Sequence, residues 1–269
     1  MTLFDGSARV AEVLRQDRIW GAAPDGFEKI EADRRRRLLV RADVAREIEA
    51  EMRGVEQEMG DLSAFHGRVR LRTVRLRNGE NALIRAYRHG GLFQALTGST
   101  YMSRPPRPFR ELAVTEELRR RGVPTVEVYG ACVQSVLGPF YRGWLITREL
   151  KGSYDLWTAL QNGFVRQWTA EQVLRPVARS LRSLHRHGVY HSDLNLKNIL
   201  VRAESGAVRG YIIDFDGAKL FLGALPKPFA EQNMRRLLRS VCKLDPRREY
   251  LSSAEWDCFM TWYHEAEKQ

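Results

Sequence analysis

His191-Ser-Asp193-Leu-Asn-Leu-Lys-Asn198, followed sixteen positions later by Asp214-Phe-Asp216, decides how this chain is read. The two pieces have the form H-x-D-x-x-x-x-N and D-F-D. Phosphoryl transfer from ATP leaves a protein little covalent work, so positioning and charge neutralisation carry the catalysis. The spacing supplies both. Asp193 is placed to orient an acceptor hydroxyl and take its proton. Asn198 can turn back from the same loop to hold a metal ion, and Asp214 is placed to bind the Mg²⁺ that bridges the ATP phosphates. Ile199-Leu-Val201 and Tyr211-Ile-Ile213 read as the strands flanking this site, with Ala203-Glu-Ser-Gly-Ala207 as the turn between them. A lone Asp or Asn in a loop is usually a turn former; here the joint pattern carries the reading. Asp216 reads equally as a second metal helper or as an acceptor of hydrogen bonds within its own loop.

A chain of 269 residues suits a two-lobed domain. Its 43% hydrophobic and 10% aromatic content indicates a globular protein rather than a disordered one. No run approaches the length of a membrane-spanning helix. The start, Met1-Thr-Leu-Phe-Asp-Gly6, lacks the basic and apolar regions of a secretion signal, which predicts a cytoplasmic protein. Cys132, Cys242 and Cys258 are unclustered and read as reduced thiols. Net charge is 44 − 33 = +11, a balance that favours acidic partners: nucleic acid, an anionic membrane surface, or a phosphorylated or carboxylated substrate. Arg34-Arg-Arg-Arg37 is the one dense basic run and reads equally as a solvated face or a binding patch.

Neither repeats nor low-complexity linkers divide the chain. Residues 1–60 read as a polar N-terminal extension of unknown role. It carries a helix from Val40 to Met59, with Val44, Ile48, Met52 and Val55 on one face. Residues 61–150 read as a small lobe. Its pieces are a hairpin around Asn78-Gly79, a helix from Pro105 to Arg121 ended by Gly122-Val-Pro124, and strands at 126–129 and 144–147. Residues 151–269 read as a larger, helical lobe. Thr169-x-x-Gln172 has the form of a capping box, Val173, Val177, Leu181 and Leu184 follow at helical spacing, and Pro176 is expected to strain that helix. Gly188 then delivers the chain into His191. This order predicts an α+β, protein-kinase-like fold: a small, mainly antiparallel β lobe and a larger helical lobe.

A kinase normally grips the ATP phosphates with a strand lysine held by a helix glutamate. No lysine occurs between Lys29 and Lys151, and Arg85 in Leu83-Ile-Arg-Ala-Tyr87 takes the lysine's place. Guanidinium binds phosphate and pairs with carboxylate, so the charge role survives the exchange. Glu111 is the expected partner and Glu117 the second candidate. Gly67 is the one glycine placed to cover phosphates, since G-x-G-x-x-G is absent. Glu149 and Leu150, following an apolar strand, read as the hinge whose backbone meets adenine. His185, His187 and His191 could suggest zinc, but Gly188 interrupts their helix, and His191 reads better as an organiser of the catalytic loop.

Several stretches resemble the lipopolysaccharide kinase family, most closely its 3-deoxy-D-manno-octulosonic acid (Kdo) kinases. Leu83-Ile-Arg-Ala-Tyr-Arg-His-Gly-Gly91 is similar to that family's L-R-x-Y-R-R-G-G. Asn233-Met-Arg-Arg-Leu-Leu-Arg-Ser-Val-Cys-Lys-Leu244 is similar to its N-L-x-R-L-x-R-S-x-x-K-L. Arg110-Glu-Leu, Arg119-Arg-Arg-Gly-Val-Pro124, Val189-Tyr-His-Ser-Asp-Leu-Asn195 and Ile213-Asp-Phe-Asp216 complete the resemblance, which runs from about 67 to 245. His89 stands where arginine is usual, and Ser192 where glycine or alanine is usual. The resemblance implies an ATP- and Mg²⁺-dependent kinase that phosphorylates a sugar hydroxyl of a lipid-linked saccharide. It further implies a place at the anionic inner face of the inner membrane, with no nucleic acid partner. Arg85 as the phosphate clamp is the family's own pattern. Arg88, His89, Gly90 and Gly91 are then expected to seat the acceptor, and Arg236, Arg239 and Lys243 share a helical face suited to lipid phosphates. Two rival readings are a kinase acting on heptose, another small molecule or a protein, and a non-catalytic basic protein that binds nucleic acid or membrane. Oligomeric state is not legible in the sequence.

Overall fold

A computed structural model describes residues 23–60, 71–87, 100–103, 105–162 and 164–265. They divide into two compact units. One comprises residues 23–116 and 127–149, the other 117–126 and 150–265. The architecture is α+β, with one unit built on a sheet and the other mainly helical.

The sheet unit has six antiparallel strands: β1 (Phe27–Glu31), β2 (Arg36–Arg41), β3 (Leu71–Arg75), β4 (Asn81–Ala86), β5 (Val128–Leu137) and β6 (Phe140–Arg148). They lie in the order β1-β2-β5-β6-β4-β3. Its inner strands are buried on both faces, which explains consecutive apolar runs in place of the alternation of a half-exposed strand. Leu38, Val40, Cys132, Trp144 and Ile146 pack with Val44, Ile48 and Met52 around helix α1 (Ala45–Gly60). The intervening Leu39, Ala131, Val133 and Leu145 pack with Phe109 and Leu112 of helix α2 (Arg107–Arg120).

Residues 27–60, read from sequence as an extension, thus contribute two strands and a helix to this sheet. Leu38-Leu-Val40 is strand rather than the start of a helix, because its side chains go alternately to the two cores. The helix begins only after a 3-10 turn at Ala42–Val44. The apolar positions Val44, Ile48 and Met52 do share one face, as their spacing predicts.

The helical unit holds a three-stranded sheet, β7 (Ser153–Asp155), β9 (Ile199–Glu204) and β10 (Ala207–Ile212), in the order β10-β9-β7. A two-stranded sheet pairs β8 (Val189–Tyr190) with β11 (Lys219–Leu220). Helices α3 (Leu156–Gln161) and α4 (Phe164–Gln167) are short. Helix α5 (Ala170–Arg186) starts with the full capping box at Thr169 and Gln172 and runs through Pro176. It buries Val173, Val177, Leu181 and Leu184. Its closest approach is to β10, where a β-carbon on Gly210 would lie 3.0 Å from the Val177 Cα. Helix α6 (Lys227–Leu244) buries Ala230, Asn233, Met234, Leu237 and Val241, one stripe with a single polar member. Helix α7 (Ser253–Glu265) packs against α5.

His185 of α5 ties these three helices together. The Asn233 Oδ1 accepts from its Nε2 at 3.3 Å, and the Tyr263 hydroxyl donates to its Nδ1 at 2.6 Å. Burial is the chief cause that lowers the His185 pKa to about 4. The native state therefore binds fewer protons than the unfolded chain between about pH 6.5 and pH 4. Stability is full above that window and falls as pH drops through it. Melting curves should show a loss of about 5 °C between pH 7 and pH 5, reduced in His185→Gln. A melting temperature that is flat with pH would contradict this assignment.

After α5, Gly188 takes φ 74°, and a β-carbon there would lie 2.3 Å from the Gly223 carbonyl oxygen. Only glycine relieves both the left-handed angle and the contact. Gly188→Ala should therefore cost about 2 kcal/mol or more in denaturant unfolding; a midpoint unchanged from the native protein would refute the packing described.

Candidate active site

The polar residues of the opening motif sit on one hydrogen-bonded loop between β8 and β9 in the helical unit. His191 is fully buried, and Asn233 of α6 meets both of its backbone groups. The Asn233 Oδ1 accepts from the His191 N–H at 3.0 Å, and its Nδ2 donates to the His191 carbonyl at 2.7 Å. The imidazole then spans the site. Its Nδ1 accepts from the Asp193 N–H at 3.1 Å, so the proton lies on Nε2, which donates to the Ile213 carbonyl at 2.9 Å. Burial is the main cause that lowers the His191 pKa and keeps the ring neutral. One histidine thus links the segment carrying Asp193 to the segment entering Asp214. All three histidines raised as zinc ligands have protein partners instead, His187 through its Nδ1 and the Ser183 carbonyl.

The loop is closed from within by two asparagines. Asn195 Oδ1 accepts from the N–H groups of Lys197 and Asn198, capping a 3-10 turn, while its Nδ2 donates to the Asp193 carbonyl and carboxylate. Asn198 Nδ2 donates to the Asp193 carbonyl at 2.8 Å. That bond fixes the orientation of the carboxamide. Leu196 N–H donates to Ser240 Oγ of α6 at 3.2 Å.

Asp214 takes φ 68°, the left-handed region that a residue with a side chain rarely adopts. Such angles persist where the surroundings over-determine them, and they cluster at functional sites. The neighbours that hold this one are named easily. Phe215 is buried with its ring centroid 5.3 Å from that of His191, and Ser192 Oγ donates to the Asp216 carbonyl at 2.6 Å. Ser192, which departs from the usual small residue, thereby tethers the D-F-D turn to the catalytic loop.

Arg236 joins the site from α6, its Nη1 3.9 Å from Asp193 Oδ1. Its Nε is buried with no hydrogen-bond partner among the described residues. The sequence placed Arg236 with Arg239 and Lys243 on a lipid-facing surface. Arg239 and Lys243 are exposed, whereas Arg236 is half-buried beside Asp193. Asn233 and Ser240 were not singled out at all. Their signal is one of placement: Asn233 is polar within an apolar stripe, and a buried carboxamide must find partners. Positions 233, 236 and 240 then recur at helical spacing toward the same loop.

In the sheet unit, Arg85 on β4 and Glu111 on α2 form a forked ion pair. Arg85 Nη2 lies 2.7 and 2.9 Å from the two carboxylate oxygens. Glu111 is buried and also accepts from the Tyr87 hydroxyl. Glu117 pairs with Arg121 at 2.8 Å instead. At the predicted hinge, Glu149 N–H donates to the Asn81 carbonyl and the Leu150 carbonyl accepts from Ser153 N–H, both at 2.8–3.0 Å. The remaining candidates, Gly67, Arg88, His89, Gly90 and Gly91, lie outside the described residues.

Among the described residues no group of three or more His, Cys, Asp or Glu is placed to hold a metal. Mg²⁺ needs none, since it takes one or two protein oxygens and completes its shell with phosphates and water. The Asp214 carboxylate and the Asn198 Oδ1 are hard oxygen donors of that kind, so the residues present fit the ion.

The model of the lipopolysaccharide kinase (Kdo/WaaP) family matches residues 57–263. The chain is 31% identical over 189 residues to the 3-deoxy-D-manno-octulosonic acid kinase of Pasteurella multocida, covering 69% of this chain and 76% of that one. It is 30% identical, with the same coverage, to the enzyme of that name from Mannheimia succiniciproducens. A solved chain described as WaaP in complex with acyl carrier protein aligns at 18% identity and a TM-score of 0.49, over 78% of this chain and 84% of its own. This chain belongs to the lipopolysaccharide kinase (Kdo/WaaP) family.

Proposed function

We propose that this kinase transfers the γ-phosphoryl group of ATP to a hydroxyl of Kdo on the inner core of lipopolysaccharide or on its lipid A precursor. The observation that carries the reading is the buried His191, which bonds the Asp193 N–H on the loop carrying Asn198 and the Ile213 carbonyl beside Asp214. The acceptor comes from the relatives, which are named for phosphorylating that sugar acid.

In this reading the acceptor oxygen attacks the γ-phosphorus, the bond from that phosphorus to the β–γ bridging oxygen breaks, and ADP leaves. The acceptor's proton passes to the Asp193 carboxylate, which projects from the loop. Asn198 and Asp214 would hold Mg²⁺, which when bound neutralises charge on the phosphates. Arg85 grips the phosphates, and Glu111 fixes its guanidinium by the two-oxygen fork. Arginine suits this role, because a planar donor set can serve a carboxylate along one edge and a phosphate along another. The Glu149 carbonyl and the Leu150 N–H are the hinge groups offered to adenine. Arg236 places a positive charge beside the base, where the carboxylate of an acidic sugar or the transferring phosphate would arrive. This favours an acidic acceptor over a neutral one. Among the described residues no helix is long and apolar enough to cross a membrane.

The test is Mg²⁺-dependent ADP release with a Kdo-bearing lipid A precursor as acceptor. Asp193→Asn should lower turnover by about 10²-fold or more with an unchanged melting curve. Turnover near that of the native protein in this variant would remove Asp193 as base. ATP hydrolysis indifferent to the acceptor would remove Kdo.

A further inference from the structure

The end of the β5–β6 hairpin carries an apolar surface that phosphoryl transfer does not use. Leu137 is 78% exposed, Phe140 45% and Val136 41%. Leu137 and Phe140 face each other across the turn, so both project from one side of the hairpin. Met102, 66% exposed, follows Tyr101, which bridges Tyr141, and so stands beside Phe140. Four of the eight large hydrophobic side chains that the described residues expose are therefore gathered at one tip. No packing requirement of the sheet explains them.

Gly138 takes φ 54°, the positive angle that a tight hairpin turn asks of its first central residue, and Pro139 follows it. The turn is two residues long, with Leu137 paired to Phe140 and a bulge at Val136 just before it.

A collar of arginine surrounds the stem. The turn between β1 and β2 lies against it: Ser135 N–H donates to the Arg35 carbonyl at 2.8 Å, and Arg37 Nη2 donates to Ser135 Oγ at 2.8 Å. The basic run Arg34–Arg37 thus divides. Arg36 turns inward and donates to the Met52 carbonyl, whereas Arg34 and Arg35 are exposed, as is Arg142 on β6. The acids on this edge are Glu31 and Asp33, and Asp33 Oδ1 accepts from the N–H groups of Arg35 and Arg36.

We propose that this hairpin tip docks the protein on an anionic lipid bilayer. Val136, Leu137, Phe140 and Met102 enter the boundary between headgroups and acyl chains, while Arg34, Arg35 and Arg142 meet lipid phosphates. An apolar wedge with a cationic rim matches the layering of a bilayer surface, which is anionic outside and apolar beneath. The inference rests on the proposed function for its purpose, delivery of the active site to a lipid-anchored acceptor.

Vesicle co-sedimentation tests it without reference to catalysis. The native protein should sediment with phosphatidylethanolamine vesicles containing phosphatidylglycerol and much less with phosphatidylcholine vesicles. Leu137→Ser combined with Phe140→Ser should weaken binding about tenfold or more, and Arg34→Glu with Arg35→Glu should remove the preference for anionic lipid. Turnover of either variant on an acyl-free Kdo acceptor should equal that of the native protein. Native-level binding by the Leu137/Phe140 variant would overturn the proposal. So would a vesicle-free change of oligomeric state in that variant, which would make the tip a contact between copies of the chain. Vesicle binding that follows these expectations in a protein inactive on Kdo would leave the docking surface standing and remove the acceptor.

Discussion

The carboxamide of Asn233 is the contact on which the catalytic loop depends. A buried peptide unit must bond both its N–H and its C=O, and leaving either unmet costs about 1–3 kcal/mol. His191 lies where the chain leaves its short strand pairing, and one side chain from α6 completes both of its bonds. Everything downstream inherits that anchor. With its backbone fixed, the His191 ring can hold the Asp193 N–H with one nitrogen and the Ile213 carbonyl with the other. Asp193 and the turn that carries Asp214 are then set from one point. The same carboxamide oxygen also receives His185 Nε2, so the core of the helical unit is joined to the loop by a network in which each member is satisfied.

Helix α6 is therefore a platform as much as a packing element. Asn233 grips His191, Arg236 reaches Asp193, and Ser240 receives Leu196 N–H, all from one side of the helix. The sheet unit repeats this logic with a different chemistry. Glu111, buried on α2, orients Arg85 on β4 by two short bonds. In both arrangements a buried side chain on a helix holds its partner, a loop backbone in one case and a strand guanidinium in the other.

The hairpin between the H-x-D-x-x-x-x-N and D-F-D pieces was legible because two apolar runs flank a Ser-Gly turn. The Arg85–Glu111 pairing was legible from charge and element order. Residues 27–41 were not. Arg36-Arg-Leu-Leu-Val-Arg41 carries charge at both ends and no alternation, because a strand covered on both faces loses the period of two by which strands are recognised. Asn233 was hidden for the opposite reason. One amide in a helix rich in arginine reads as solubility until the buried stripe through Ala230, Leu237 and Val241 shows which way it faces. Arg236 was read onto the wrong surface by the same ambiguity, since positions three and four apart define a face but not its neighbour. The apolar hairpin tip was likewise invisible, as Val-Leu and Phe around Gly-Pro look like ordinary strand ends until their exposure is known.

The most direct measurement is steady-state turnover of Asn233→Leu, with hydrogen exchange of residues 189–198 followed in parallel. Leucine keeps the volume and the helix but removes both bonds to His191. The account predicts turnover lowered by about 10²-fold, faster exchange confined to the catalytic loop, and nucleotide affinity close to that of the native protein. Native-level turnover with unchanged exchange would show that the loop holds its geometry without Asn233, and would contradict the account at its centre.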